Sequence, residues 1–103
     1  MEWNCRSNNG LSMLSEGKSI NGVVICKKTA DILEIINWES DSDELLKELF
    51  YKARAMGYKR IGAAEKQSDA KRINKLLKAG FEAIQTHEGL FNDDKAVMLI
   101  KQL

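Results

Sequence analysis

Apolar and polar positions along this chain change period several times, and each change marks an element. Val23-Val24-Ile25-Cys26, within residues 20–27, is a β-branched run that predicts a strand buried on both faces. Residues 31–38 carry a second run, Ile32, Leu33, Ile35, Ile36 and Trp38, separated from the first only by Lys28-Thr29-Ala30, so the two read as an antiparallel hairpin. Glu34 alternates in phase with Ile32, Ile36 and Trp38, which puts it on a solvated face or in a cleft. At Asp41 the period becomes helical. Asp41 and Glu44 form a capping-box-like pair, and Leu45, Leu46, Leu49, Phe50, Ala53 and Met56 share one face up to a stop at Gly57. Residues 59–64 predict a short strand through Ile61. Ser68 or Asp69 caps a second helix with Ile73, Leu76 and Leu77 toward the core and Gly80 at its end. Residues 81–86 and 96–101 predict two closing strands, the latter (Ala96 to Ile100) continuous enough to be buried on both faces.

Residues 1–19 carry a weaker pattern. Met1 to Arg6 suits a short strand, Asn8-Asn9-Gly10 a turn, and Leu11, Met13 and Leu14 one apolar turn before Gly17. With no repeat, low-complexity tract or linker, residues 1–103 read as one domain. A strand, helix, strand unit with a short return makes a right-handed parallel crossover, while the remaining connections are hairpins. The predicted class is α/β: a mixed, mostly antiparallel sheet with helices on both faces, ordered β-β-α-β-α-β-β from about residue 20.

Composition narrows the chemistry. The chain is 44% hydrophobic and 30% charged with a formal net charge of +1, which gives no general attraction to nucleic acid or membrane. No apolar run is long enough to span a bilayer, and the first residues do not read as a secretory signal. Two cysteines are too few for a disulfide framework or a four-ligand zinc site; Cys26 is expected to be a buried strand thiol in a reducing, cytoplasmic setting. The single histidine, His87, lacks partners at ligand spacing and reads as a surface residue, so no metal is expected. Lys66, Lys71, Arg72, Lys75 and Lys78 give the second helix a basic outer face without interleaved aromatics, which argues against nucleic acid.

Ile73-Asn74-Lys75-Leu76-Leu77-Lys78-Ala79-Gly80-Phe81, inside the element order on either side, resembles the helix that closes with Gly-Phe in the GNAT acetyltransferase superfamily. The resemblance covers about residues 20–103, the C-terminal two-thirds of that fold. It implies a gap between the second hairpin strand and the strand after the first helix, where the pantetheine arm of acetyl-CoA would lie against Ile36, Asn37 and Trp38. It further implies a pyrophosphate at the start of the first helix, near Asp41 and Ser42, and contacts from Asp69 and Ile73. Under the same resemblance the family's Asn falls at Asp69 and its general-acid Tyr at Leu76, and Glu34 is the candidate general base.

Two departures matter. Where the resemblance implies a glycine-rich turn, this chain has Glu39-Ser40-Asp41-Ser42-Asp43-Glu44, whose carboxylates compete with a phosphate for the helix amides. Leucine at position 76 cannot protonate a thiolate. The sequence therefore predicts a small GNAT-like protein that has lost acetyl transfer, needs no cofactor, and acts by binding a protein partner or itself. Such compactness is common in phage and mobile-element genomes. The alternative is a minimal N-acetyltransferase that uses acetyl-CoA.

Overall fold

The computed structural model describes residues 1–8, 12–40, 42–91 and 94–103. Its elements are β1 (Glu2–Asn8), β2 (Ser12–Ser19), β3 (Gly22–Thr29), β4 (Ile32–Ser40), α1 (Glu44–Ala55), β5 (Arg60–Lys66), α2 (Ala70–Lys78), β6 (Glu82–Phe91) and β7 (Asp94–Gln102). All seven strands join one mixed sheet in the order β1-β2-β3-β4-β5-β7-β6, with β4 and β5 the parallel pair. The α/β class and the element order from residue 20 are as the sequence predicts.

The N-terminal segment is more ordered than its pattern suggests. Residues 12–19 form a strand rather than an apolar turn, paired on one side to β1 (Glu2↔Lys18 to Asn8↔Ser12) and on the other to β3. Pairing with the free edge of β3 satisfies the backbone of a stretch whose side chains show no strand period. The predicted turn at residues 9–10, and Leu11, lie outside the described residues.

Both helices pack on the same face of the sheet, not on opposite faces. Leu45, Leu49 and Phe50 of α1 and Leu76 of α2 join Leu33, Ile61 and Leu99 in one buried cluster. The Phe50 and Phe81 rings meet at 5.8 Å, close to where the two helices adjoin. Strands β3 and β7 are consequently buried mainly on one side: Val24, Cys26, Val97 and Leu99 face the helices, while Val23, Ile25, Met98 and Ile100 are only half-buried. Two positions expected in the core are displaced for simple geometric reasons. Leu77 follows Leu76 by about 100° of helix rotation and is 43% exposed; Met56 lies past the last turn of α1 and is 39% exposed. Helix α1 begins at Glu44 with Asp43 at its cap position and no side-chain bond from Asp43; Ser42 Oγ accepts from the Glu44 amide instead, at 3.3 Å. The capping pair read from the sequence includes Asp41, which lies outside the described residues.

A bulge in β4 shapes everything near the expected gap. Ile35 pairs with Cys26 and Asn37 with Ile25, so Ile36 is an extra residue. Beyond it the alternation shifts by one: Trp38 comes back to the face of Ile35 and is 3% exposed, out of phase with Ile32 and Glu34. The phase shared by Glu34 and Trp38 in the sequence pattern is thus broken. The parallel ladder also stops there, its last pair being Ile35↔Ala63, and β4 and β5 have no ladder beyond it.

Burial pushes the Cys26 thiol up from 9.0 to about 12. Unfolding restores the lower value, so this group's share of stability is intact below about pH 9 and declines as the pH rises toward about 12. A thiol reagent at neutral pH should label exposed Cys5 rapidly and Cys26 only in denaturant; equal rates for both would contradict the packing of β3.

Candidate functional site

Past the end of the β4–β5 ladder β4 keeps β3 on one edge but has no strand partner on the other, and side chains from α2 and β5 reach it there. Trp38 Nε1 donates to Glu65 Oε1 at 2.9 Å. Arg72, in the first turns of α2, donates from Nε to both Glu65 oxygens at 3.3 and 3.1 Å and from Nη2 to the Trp38 carbonyl at 2.6 Å. Its guanidinium also stacks over the Trp38 ring, 4.4 Å from the centroid. The Trp38 amide donates to Asn37 Oδ1 at 2.9 Å. Lys75 Nζ reaches the Ser40 carbonyl at 3.4 Å. Both backbone groups of Trp38 are therefore occupied from within the chain.

The start of α1 is closed in a similar way. Ser42 accepts the Glu44 amide, the Ser42 amide donates to Ser40 Oγ at 3.1 Å, and Ser42 Oγ donates to Asn21 Oδ1 at 3.1 Å. The Ser40 hydroxyl lies within hydrogen-bond reach of the Asn21 and Ser42 carbonyls. Asn21 in turn donates from Nδ2 to Glu48 Oε1 at 2.9 Å. Serine and asparagine hold this helix mouth, and no glycine or arginine lies between Asn37 and Leu49.

The other residues read as site candidates scatter. Asp69 caps α2, its carboxylate accepting the Arg72 amide at 3.2 Å. Ile73 packs half-buried against the core, and Leu76 is fully buried within it. Ile36, the bulged residue, is 54% exposed on the sheet face away from the helices. Glu34 lies on that open face too, half-buried, and accepts from Thr29 Oγ1 at 3.0 Å. It borders a hollow of about 350 Å³ whose walls include Ile32, Ile36, Ile84, Met98 and Ile100. Glu34 and Trp38 therefore sit on opposite faces of β4. Tyr51 is 77% exposed on α1 and Tyr58 packs at the edge of the core; neither borders the hollow. Among the described residues, no group of three His, Cys, Asp or Glu is placed to hold a metal ion, and no helix is long and apolar enough to cross a membrane.

The sequence pattern does not single out Glu65, and it places Arg72 only on a basic surface. The available signal was period: Glu65 falls in phase with Ile61 and Ala63 on β5, an inward carboxylate that needs a cation, and Arg72 follows seven residues later.

No family model matches this chain, and no curated protein sequence does. Its structure, however, superimposes on acetyltransferases. An IAA acetyltransferase from Bacillus cereus matches with a TM-score of 0.75 and 16% identity over 89% of this chain and 78% of that one. A GNAT family acetyltransferase from Elizabethkingia anophelis, with acetyl-CoA bound, matches with a TM-score of 0.75 and 18% identity over 92% and 78%. The fold is that of the GNAT acetyltransferases. A Bacillus subtilis acetyltransferase in complex with CoA matches with a TM-score of 0.70 and 16% identity over 98% of this chain and 97% of that one. This GNAT match takes in residues ahead of 20, so the N-terminal hairpin belongs to the shared architecture, beyond the two-thirds read from the sequence.

At the GNAT gap, Asn37 and Arg72 hold the amide and carbonyl of Trp38, and Ser42 holds the Glu44 amide at the start of α1.

Arg72→Ala leaves the Glu65 carboxylate, 11% exposed, without its cation, and should cost about 2–3 kcal/mol in urea unfolding. Trp38→Phe removes only one bond to Glu65 and should cost about 1–1.5 kcal/mol plus a small packing loss. Equal, near-zero losses for both would show that this cluster does not hold β4 to α2.

Proposed function

We propose that this GNAT-fold chain acts by binding another protein and not by acetyl transfer. The observation that carries the reading is the state of Trp38: its amide is taken by Asn37 and its carbonyl by Arg72, in the stretch of β4 where the coenzyme would bond. Leu76, buried where the resemblance places an acid, supports the same reading. So does the separation of Glu34 from Trp38 across the sheet.

Titration calorimetry with acetyl-CoA tests it. The expected result is no binding tighter than about 1 mM, or about −4 kcal/mol. A micromolar dissociation constant would overturn the proposal.

One observation favours a second reading, a minimal acetyl-CoA-dependent N-acetyltransferase. The Bacillus subtilis acetyltransferase crystallised with CoA is nearly coextensive with this chain, so small size alone is no obstacle to holding the coenzyme. On that reading Glu34 is the general base, thiol release from acetyl-CoA accompanies turnover of an amine, and Glu34→Gln abolishes it.

The protein-binding reading extends to the open sheet face, where Ile36 and Ile84 are each 54% exposed beside the hollow at Glu34. Aliphatic surface left in water costs about 25 cal/mol per Å², and a second copy presenting the same face would cover it. Light scattering at high micromolar concentration should give a dimer mass that falls to the monomer value in Ile84→Lys. A monomer throughout would remove self-association from the proposal.

A further inference from the structure

The two helices meet in a groove that shares only Lys75, bonded to the Ser40 carbonyl, with the contacts around Trp38. Five cations line it: Lys47 and Arg54 from α1, Lys75 and Lys78 from α2, and Lys101 from β7. They are five of the chain's 16 Lys and Arg residues, in a protein whose net charge is only +1. Between them lies an apolar floor of Leu46, Phe50 and Ala79, and one carboxylate, Asp43, marks an end. The hollow measures about 320 Å³. Lys47 makes an ion pair with Glu44 at 3.3 Å, with both side chains largely in water, a contact of little strength. Arg54 and Lys78 make no ion pair among the described residues. Lys101 Nζ lies 5.6 Å from the Phe50 ring centroid.

We propose that this groove binds an acidic segment of a partner protein, its carboxylates on the surrounding cations and an apolar side chain against half-buried Ala79 between them. The inference rests on the reading of this chain as a protein-binding module and names the chemistry of its partner. Charge complementarity is the first argument. Spacing is the second: seven residues of helix separate Lys47 from Arg54, about 10 Å, or some three residues of an extended peptide. Cations spread over that distance match successive carboxylates. A nucleotide phosphate instead asks for donors that converge on one point, and the cations lining this groove come from three separate elements, α1, α2 and β7. A nucleic acid strand would look for an open aromatic face, whereas Phe50 is 6% exposed and sits beneath Lys101. Asp43 repels an acidic segment at its own end and so gives the groove a direction.

The test is fluorescence anisotropy with a labelled short peptide of alternating Glu and Asp around a central leucine pair. Saturable binding is expected, weakened roughly tenfold or more in the double variant Arg54→Glu/Lys78→Glu. Replacing the peptide's leucines by serine should weaken it several-fold. Circular dichroism and melting of the double variant establish that the fold is kept, since both side chains are exposed. The idea is overturned by absence of saturable binding, by equal affinity for the double variant, by indifference to the leucines, or by stronger binding of single-stranded DNA of matched charge. Acetyl-CoA binding to the chain would defeat the non-catalytic reading and leave this peptide result to stand or fall separately.

Discussion

A carboxylate held between a strand and a helix organises this molecule. Where the parallel ladder between β4 and β5 ends, β4 would expose unpaired backbone groups to the interior. Glu65 and Arg72 prevent that by linking the Trp38 indole, the Trp38 carbonyl and the first turns of α2 into one cluster. Burying an ion pair costs several kcal/mol of desolvation per ion, and that cost is offset only when the remaining donors and acceptors are also satisfied. Here they are. The guanidinium bonds two acceptors and stacks on a ring, and the carboxylate receives both the indole and the guanidinium. The arrangement ties α2 to the sheet at the place where the sheet is weakest.

The Ile36 bulge is the upstream cause. One extra residue rotates Trp38 to the helix-covered face and leaves Ile36 and Glu34 on the other. The two faces then differ in kind. One carries both helices and a continuous aliphatic core, with cations along the helix–helix seam. The other is a half-open aliphatic hollow beside a lone carboxylate. In a GNAT fold the gap at the end of the ladder is the natural place for a coenzyme. In this chain Asn37 and Arg72 hold the amide and carbonyl of Trp38 at that point.

Much of this was legible beforehand. β-Branched runs, helical spacing at Leu45, Leu49 and Ala53, and glycines past each helix end marked seven of the nine elements, because local periodicity and positive-φ positions act over a few residues. The family resemblance, the absence of glycine at the start of α1 and the leucine at position 76 could be read from the chain. What escaped was set by pairing. Residues 12–19 have no period of their own and become a strand because β3 offers an edge. Glu65 and Arg72 lie on different elements, and no local pattern pairs a strand carboxylate with a helix guanidinium.

By itself the sequence determined which segments from residue 20 onward are strand or helix, their order, and the absence of glycine at the start of α1, since each depends on residues close together in the chain. Tertiary structure alone decided that both helices share one face, that a bulge sends Trp38 inward, and that Arg72 closes on it. Those outcomes depend on which backbone groups remain unpaired after the sheet has formed, a quantity that exists only once distant strands have met.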